Sequence, residues 1–371
     1  MGRCRGARPL VLVALLLSCS VVSAAAPSLC DFRAPITDIS HLFMILDYSY
    51  LNLPETPHVD VSSGRFSFTF SHIHDEPDRA LNVGSTTELS LDHLRLEGMI
   101  GSAYMTTRYY VPEIDSVYGF AEVRADHTTS AAAPGLELRL GAGYGRLTDV
   151  TPLARAMHIE DSLIEDMILA APLSDAALQE IAELIGRESE FEGIGELVSH
   201  IANVIQSEAR VTLSARSLVA VAEEVRSDDV SQQCGWTAQL GLGYELLLRF
   251  GAIRQPLLTV SADIVRPLSL ESQVAAHADF SRPILLSDAN ALSASVLFTR
   301  QLGTATRLVA QYALQRVRRS EEQVSSAETI EAQLLFDLGA IDLTASGSLS
   351  RGTGATGWVE SIVIAVRLDL L

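Results

Sequence analysis

Histidine, serine and carboxylate side chains gather at two places in this 371-residue sequence. Ser71-His72-Ile73-His74-Asp75 sets two imidazoles two residues apart beside a hydroxyl and a carboxylate. It follows an alternating segment and precedes Pro77, so it reads as a loop. Such a pair could ligate a metal, but nothing nearby supplies the remaining ligands. The second place is His277, with Glu271 and Asp279 on one face of an alternating run and Ser269 and Ser281 beside them. A histidine oriented by a carboxylate is half of a nucleophilic triad. A wall-lining role accounts for the same residues without catalysis. No catalytic residue, metal site or cofactor is assigned. Gly141, Gly143 and Gly145 alternate instead of forming a phosphate loop. They make room on one strand face for the segment that follows.

The elements that must position these groups show period two. Leu136, Leu138, Leu140, Ala142 and Tyr144 share one face, and Glu137, Arg139, Gly141 and Gly143 the other. A strand turns successive side chains to opposite faces, so one side is apolar and the other polar or small. The pattern recurs over 236–248, 257–265, 268–280, 291–299, 304–315, 329–338, 340–350 and from Trp358 to the end. Weaker N-terminal segments are 42–52, 65–72, 86–97, 102–111 and 116–126, the last carrying Tyr118, Phe120 and Glu122. The total is 14 strands, with 12 as the alternative. Tight turns at Arg266-Pro267, Gln301-Leu302-Gly303 and Gly339 alternate with long polar connections, a parity that a soluble sandwich has no reason to keep.

From 151 to 228 the period becomes helical. Thr151-Pro152, with a hydroxyl cap and proline in the first turn, Ser174-Asp175 and Gly193 mark helix starts. Each helix has one apolar stripe and one charged, mostly acidic face. Eight strands follow, so the insertion leaves and returns on the side of the C-terminus, the periplasm. Its acidic face reads as a solvated one, and the functional alternatives are a plug for the lumen or a docking surface for a periplasmic partner. The stripes read as a small bundle core, with a partner groove as the alternative.

Composition narrows the class. Net charge is −19, lysine is absent, and 48% of residues are hydrophobic. Such acidity opposes binding to phosphate backbones, so no nucleic-acid partner is expected. The apolar fraction excludes a disordered chain. Beyond the N-terminus no run of about 18 apolar residues exists, which excludes a helical membrane protein. Residues 1–26 read as a secretory signal peptide: Arg3, Arg5 and Arg8, an apolar stretch, then Val22-Ser23-Ala24. Leu16-Leu17-Ser18-Cys19 also has the form of a lipidation signal, with ordinary cleavage further on as the preferred reading. Cys30 and Cys234 then remain, and either form one disulfide or stand as separate thiols.

With strands of about ten residues, aromatics near their ends and a polar opposite face, the sequence resembles a Gram-negative outer-membrane β-barrel, porin-like, over 136–147 and 236–371 and less closely over 42–126. The resemblance implies an all-β antiparallel transmembrane barrel in the outer membrane. Its strands are 27–150 and 229–371, flanking the insertion at 151–228. The implied partners are the lipid bilayer and the barrel assembly machinery. Barrels of this class end on an aromatic residue; here the chain ends in leucine, with the apolar face stopping at Leu370. The residues expected to face the lumen are Glu137, Arg139, Asp263, Glu271, His277, Asp279, Arg307, Glu331 and Asp337. The implied function is a passive channel or transport component for small polar solutes, not an enzyme. The alternatives are a non-conducting structural barrel and a barrel lipid hydrolase.

Overall fold

The structure is a computed structural model. It describes residues 28–34, 36–52, 60–92, 95–129, 134–226, 231–247, 256–284, 289–303, 305–318, 324–337, 341–353 and 357–369. The segment read as a signal peptide, Cys19, Gly339, Leu370 and Leu371 lie outside the described residues.

Fourteen strands run β1 (Thr37–Asn52), β2 (Asp60–Asp75), β3 (Arg79–Asp92), β4 (Arg95–Val111), β5 (Ile114–Thr128), β6 (Gly135–Asp149), β7 (Gln233–Leu247), β8 (Pro256–Ser269), β9 (Ser272–Pro283), β10 (Asn290–Gly303), β11 (Thr306–Arg318), β12 (Val324–Asp337), β13 (Ile341–Gly352) and β14 (Val359–Asp369). Each pairs antiparallel with the next, and β1 pairs with β14 to close the barrel. Closure leaves no strand edge, which a bilayer requires because it offers backbone groups no hydrogen bonds. A tilted strand crosses with about 9–11 residues, and the shortest here, β14, has 11.

The outer face is set by the alternation. Leu140, Tyr144, Trp236, Leu240, Leu242 and Ile264 are exposed, and Ile362 and Ile364 are 88% and 69% exposed. In water this band would be an aggregation surface; against acyl chains it is at home. Tyr144 and Trp236 meet near one rim, with ring centroids 5.6 Å apart. At the other rim Arg351 lies over the Trp358 ring.

Several expected boundaries move. The tight turn after β8 is Leu270–Glu271, not Arg266-Pro267. Pro267 sits at a register shift near the strand end, where its missing N–H is tolerated. The segment read as 86–97 spans the end of β3 and the start of β4. Ser71–Asp75 is strand, not loop, because β1 and β3 flank it and satisfy its backbone whatever its side chains.

Between β6 and β7 lie α1 (Thr151–Glu165), α2 (Asp175–Ile185), α3 (Ile194–Ala209) and α4 (Ala215–Arg226). Six strands precede them and eight follow, so they share an end of the barrel with both termini. That end otherwise has short connections, 76–78, 112–113, 270–271, 304–305 and 338–340. The far end has longer ones, 53–59, 129–134, 248–255, 284–289, 319–323 and 353–358, with 93–94 the exception. The start of α1 also differs from expectation. Thr151 is inside the helix, and Asp149 Oδ1 accepts from its N–H at 2.9 Å and its hydroxyl at 2.5 Å. Ser174 does cap α2, accepting from the Ala177 N–H.

The helical stripes meet one another. Ile159 and Leu163 of α1, Ile181 and Ile185 of α2, Leu197, Ile201 and Ile205 of α3, and Val221 and Val225 of α4 form one buried core. Burying a side chain of this size is worth about 1.5–3 kcal/mol. Phe32 of the N-terminal segment joins that core. The same segment is tied to the start of β7 by the Cys30–Cys234 disulfide, whose Cα atoms are 5.3 Å apart.

Candidate functional site

The lumen face holds the polar half of each strand. Its densest part centres on Arg139 of β6, which is 5% exposed. Arg139 Nε donates to Glu137 Oε1 at 2.7 Å, and Nη1 donates to Asp279 Oδ2 on β9 at 3.1 Å. Glu122 of β5 lies opposite Arg139 in register, with Oε1 3.7 Å from Nη1. Its other oxygen accepts from Thr106 Oγ1 on β4 at 3.2 Å, and Arg124 Nη2 is 3.3 Å from Oε1. Three carboxylates thus surround one guanidinium. Buried charges persist only when paired in this way.

The register brings other expected residues together in smaller groups. His277 Nδ1 is 2.6 Å from Asp263 Oδ1, and Thr237 donates to Asp263 Oδ2. Ser269 bonds Ser272 instead of this histidine. Glu331 accepts from Gln333 on the same face of β12 at 2.8 Å. Arg307 and Asp337 border a cavity at the end holding the termini. Glu271 borders it too, but from the turn between β8 and β9, not from a strand as expected. The bulge-shifted end of β8 carries the turn four residues further than the periodicity placed it.

That cavity is about 1250 Å³. Its barrel wall includes Ile39 and His41 of β1, Gln273 of β9, Thr299 and Gln301 of β10, and Asp342 of β13. The helical side supplies Arg155, Gly186, Glu188 and Glu223. The opposite wall is filled by its own side chains. Tyr110, Tyr118 and Phe120 form a buried aromatic cluster inside the barrel. The Phe120 ring lies against Gly141 and Gly241, and the Tyr118 ring against Gly143. The glycine stripe therefore makes room for aromatic rings of the neighbouring strand, not for the helices. Gly145, with φ +97°, belongs to a backbone irregularity that favours glycine. Arg146 closes this side: it bonds Asp75 at 2.6 Å and the Pro77 carbonyl at 2.9 Å, and lies 4.1 Å over the Tyr110 ring.

Glu122, Arg124 and the lumenal aromatics were not among the residues expected at the site. The period places Tyr118, Phe120 and Glu122 on one face. Glu122 was the signal, since a carboxylate belongs in the lumen.

One polar cluster lies on the outer surface. Ser40 and His72 are directly paired in register, as are Asp38 and His74. Ser40 Oγ is 2.9 Å from His72 Nδ1, and Asp38 Oδ1 is 3.7 Å from that same nitrogen. A triad needs the carboxylate on one ring nitrogen and the hydroxyl on the other. This arrangement places both on one.

No family model matches the sequence, and no curated protein matches it. Solved structures of similar form include OmpF of Salmonella typhi in complex with daunomycin, at 8% identity, 90% of this chain, 100% of that chain and TM-score 0.38. A BenF-like porin from Pseudomonas fluorescens Pf-5 is similar at 8% identity, with 91% and 100% coverage and TM-score 0.36. OprB of Pseudomonas putida is similar at 8% identity, with 99% and 98% coverage and TM-score 0.33. The assignment rests on the chain itself: a closed antiparallel strand order, an apolar outer band and a charged lumen are those of a transmembrane β-barrel of the outer-membrane type.

Proposed function

We propose that the barrel is a passive outer-membrane channel for small polar solutes, with its termini and helical insertion on the periplasmic side. The observation that carries this is the cavity of about 1250 Å³ at the barrel end beside the helical insertion, bordered by the ends of β1 and β9–β13. Solutes pass beside the filled β4–β8 wall, where Arg139 and its carboxylates stand. Glu122, Glu137, Asp263, Asp279, Glu331 and Asp337 outnumber Arg124, Arg139 and Arg307 on the lumenal face and at its mouth. Fixed wall charge of one sign enriches counter-ions, so the channel favours cations. The orientation is supported by short connections at the end with the termini. The final strand, Val359–Asp369, is the segment that the barrel assembly machinery would engage.

A second reading keeps the barrel shut. Helical residues Arg155, Glu188 and Glu223 border the mouth, and the disulfide fixes the N-terminal segment beside them. In that reading the insertion, residues 151–228, is a plug. Planar-bilayer recording of the full chain and of a chain lacking 151–228 separates the two. A channel conducts in both forms, with cation-selective reversal potentials. A plugged barrel conducts only after the deletion. Silence in both forms, from protein shown to be folded by heat-modifiable gel migration, rejects the channel.

A further inference from the structure

The outer surface of β1 and β2 is apolar through Leu42, Met44, Phe66, Phe68 and Phe70, and then changes character. One register step beyond the Leu42–Phe70 pair come Ser40 and His72, then Asp38 and His74. The cluster continues into the turn at Glu76 and to Arg79, the first residue of β3. These side chains form a connected chain. Arg79 Nε donates to Glu76 Oε2 at 2.6 Å. His74 Nε2 is 3.1 Å from Glu76 Oε1, and its Nδ1 is 3.1 Å from Asp38 Oδ2. The His72 and His74 rings are nearly parallel, 6.5 Å apart.

A polar cluster directly continuous with a lipid-facing phenylalanine row stands where the hydrocarbon ends and headgroups begin. We propose that Asp38, His72 and their neighbours bind the headgroup of a zwitterionic aminophospholipid, phosphatidylethanolamine. Ser40 occupies Nδ1 of His72, and among the described residues Nε2 of that ring has no partner. With Nδ1 accepting from the serine hydroxyl, Nε2 carries the proton and donates to a lipid phosphate. Asp38 Oδ1, with only the 3.7 Å approach to His72, accepts from the ammonium.

Charge decides between headgroups. Arg79 and the doubly engaged His74 offset Glu76 and Asp38, so the cluster offers an anionic lipid no net attraction. Arg79, then His74, holds the Glu76 carboxyl below its ordinary range. The whole chain, at −19, opposes anionic lipid further. A quaternary ammonium has no N–H for Asp38, which separates ethanolamine from choline. The site lies at the rim, where Asp38 and Ser40 also border the cavity, and its side chains share the strand face of Leu42 and Phe70. It rests on this face meeting lipid, and in a symmetric bilayer it does not depend on which end faces the periplasm.

The test is native mass spectrometry of the full mature chain released from nanodiscs of equal phosphatidylethanolamine, phosphatidylcholine and phosphatidylglycerol. Wild type should retain the ethanolamine lipid about threefold or more over the other two, a difference of about 0.7 kcal/mol. Asp38→Asn and His72→Phe should each bring retention to the level of the other lipids. His72→Phe extends the phenylalanine row and so preserves insertion, and heat-modifiable migration of the same samples reports folding. Equal retention of the three lipids by folded wild type, or undiminished ethanolamine preference in both folded variants, overturns the site. Wild type that fails to enter nanodiscs overturns the membrane reading itself.

Discussion

Arg139 on β6 and Asp279 on β9 are bonded at 3.1 Å although two strands lie between them. The side chain reaches across the lumen face of β7 and β8, with Gly243 of β7 leaving room beside it. It ties β5, β6 and β9 together by their side chains, in addition to the backbone ladder. It is also the main positive charge among Glu122, Glu137 and Asp279.

Removing that charge should have two separate effects. Arg139→Ala leaves Glu137 and Asp279 without their cation and Glu122 with Arg124 alone, and breaking a buried ion pair costs about 3–5 kcal/mol. The temperature at which the heat-modifiable band unfolds should fall. In a salt gradient the reversal potential should move toward stronger cation preference. Asp279→Asn should move it the other way. A reversal potential indifferent to both substitutions would mean that ions do not pass this wall.

The aromatic–glycine contact inside the barrel makes a packing prediction. A methyl group at Gly141 would strike the Leu240 carbonyl and the Phe120 ring. Gly141→Ala should cost about 1–3 kcal/mol, as overpacking does. Gly347→Ala, with nothing within 4 Å, should change stability by less than about 0.5 kcal/mol. Urea unfolding in detergent micelles compares the two.

Reducing Cys30–Cys234 opens a loop spanning 204 residues. The loss should be about 2–5 kcal/mol if chain entropy governs it. Its local consequence is release of the Phe32 segment from the helical core. Limited proteolysis should then cut near residues 28–34 in reduced protein only, while the barrel band keeps its migration.

Glu160 gives the helical insertion a pH dependence. It is buried, and its carboxylate accepts from the Leu173 N–H between α1 and α2. Burial raises its pKa above the ordinary glutamate value, against the pull of that hydrogen bond, with Asp161 and Asp175 adding to the rise. Folding therefore favours the protonated form. The favourable contribution is complete below the unfolded-state pKa and disappears as pH rises through the higher folded value. Amide protection at 169–178, corrected for intrinsic exchange, should weaken across that rise. Glu160→Gln should flatten the dependence.

The expected strand total agrees with the closed sheet because alternation is a local property, and most strands carry it in their own residues. Leu140, Leu240 and Ile364 announce the lipid face without reference to any neighbour. The helical stripes were equally legible, since Ile159, Leu163, Ile181 and Ile201 recur at helical spacing. The outcome of those stripes was not, because period alone does not say whether an apolar face meets its own chain or another.

Two ends of β2 show the limit. Phe66, Phe68 and Phe70 mark the strand, yet His72 and His74 continue it on the same face, where polarity suggested a loop. Ladder bonds from β1 and β3 decide that, and they come from residues far away in the chain. The same holds inside the barrel. The sequence determined that Glu137, Arg139 and Asp279 lie on polar faces of their strands. Only strand register set Glu122 opposite Arg139, only closure curved β9 within reach of β6, and only tertiary packing laid Tyr118 and Phe120 over glycines. A strand's period fixes which way a side chain points, whereas its partners depend on sliding and curvature that no single segment encodes.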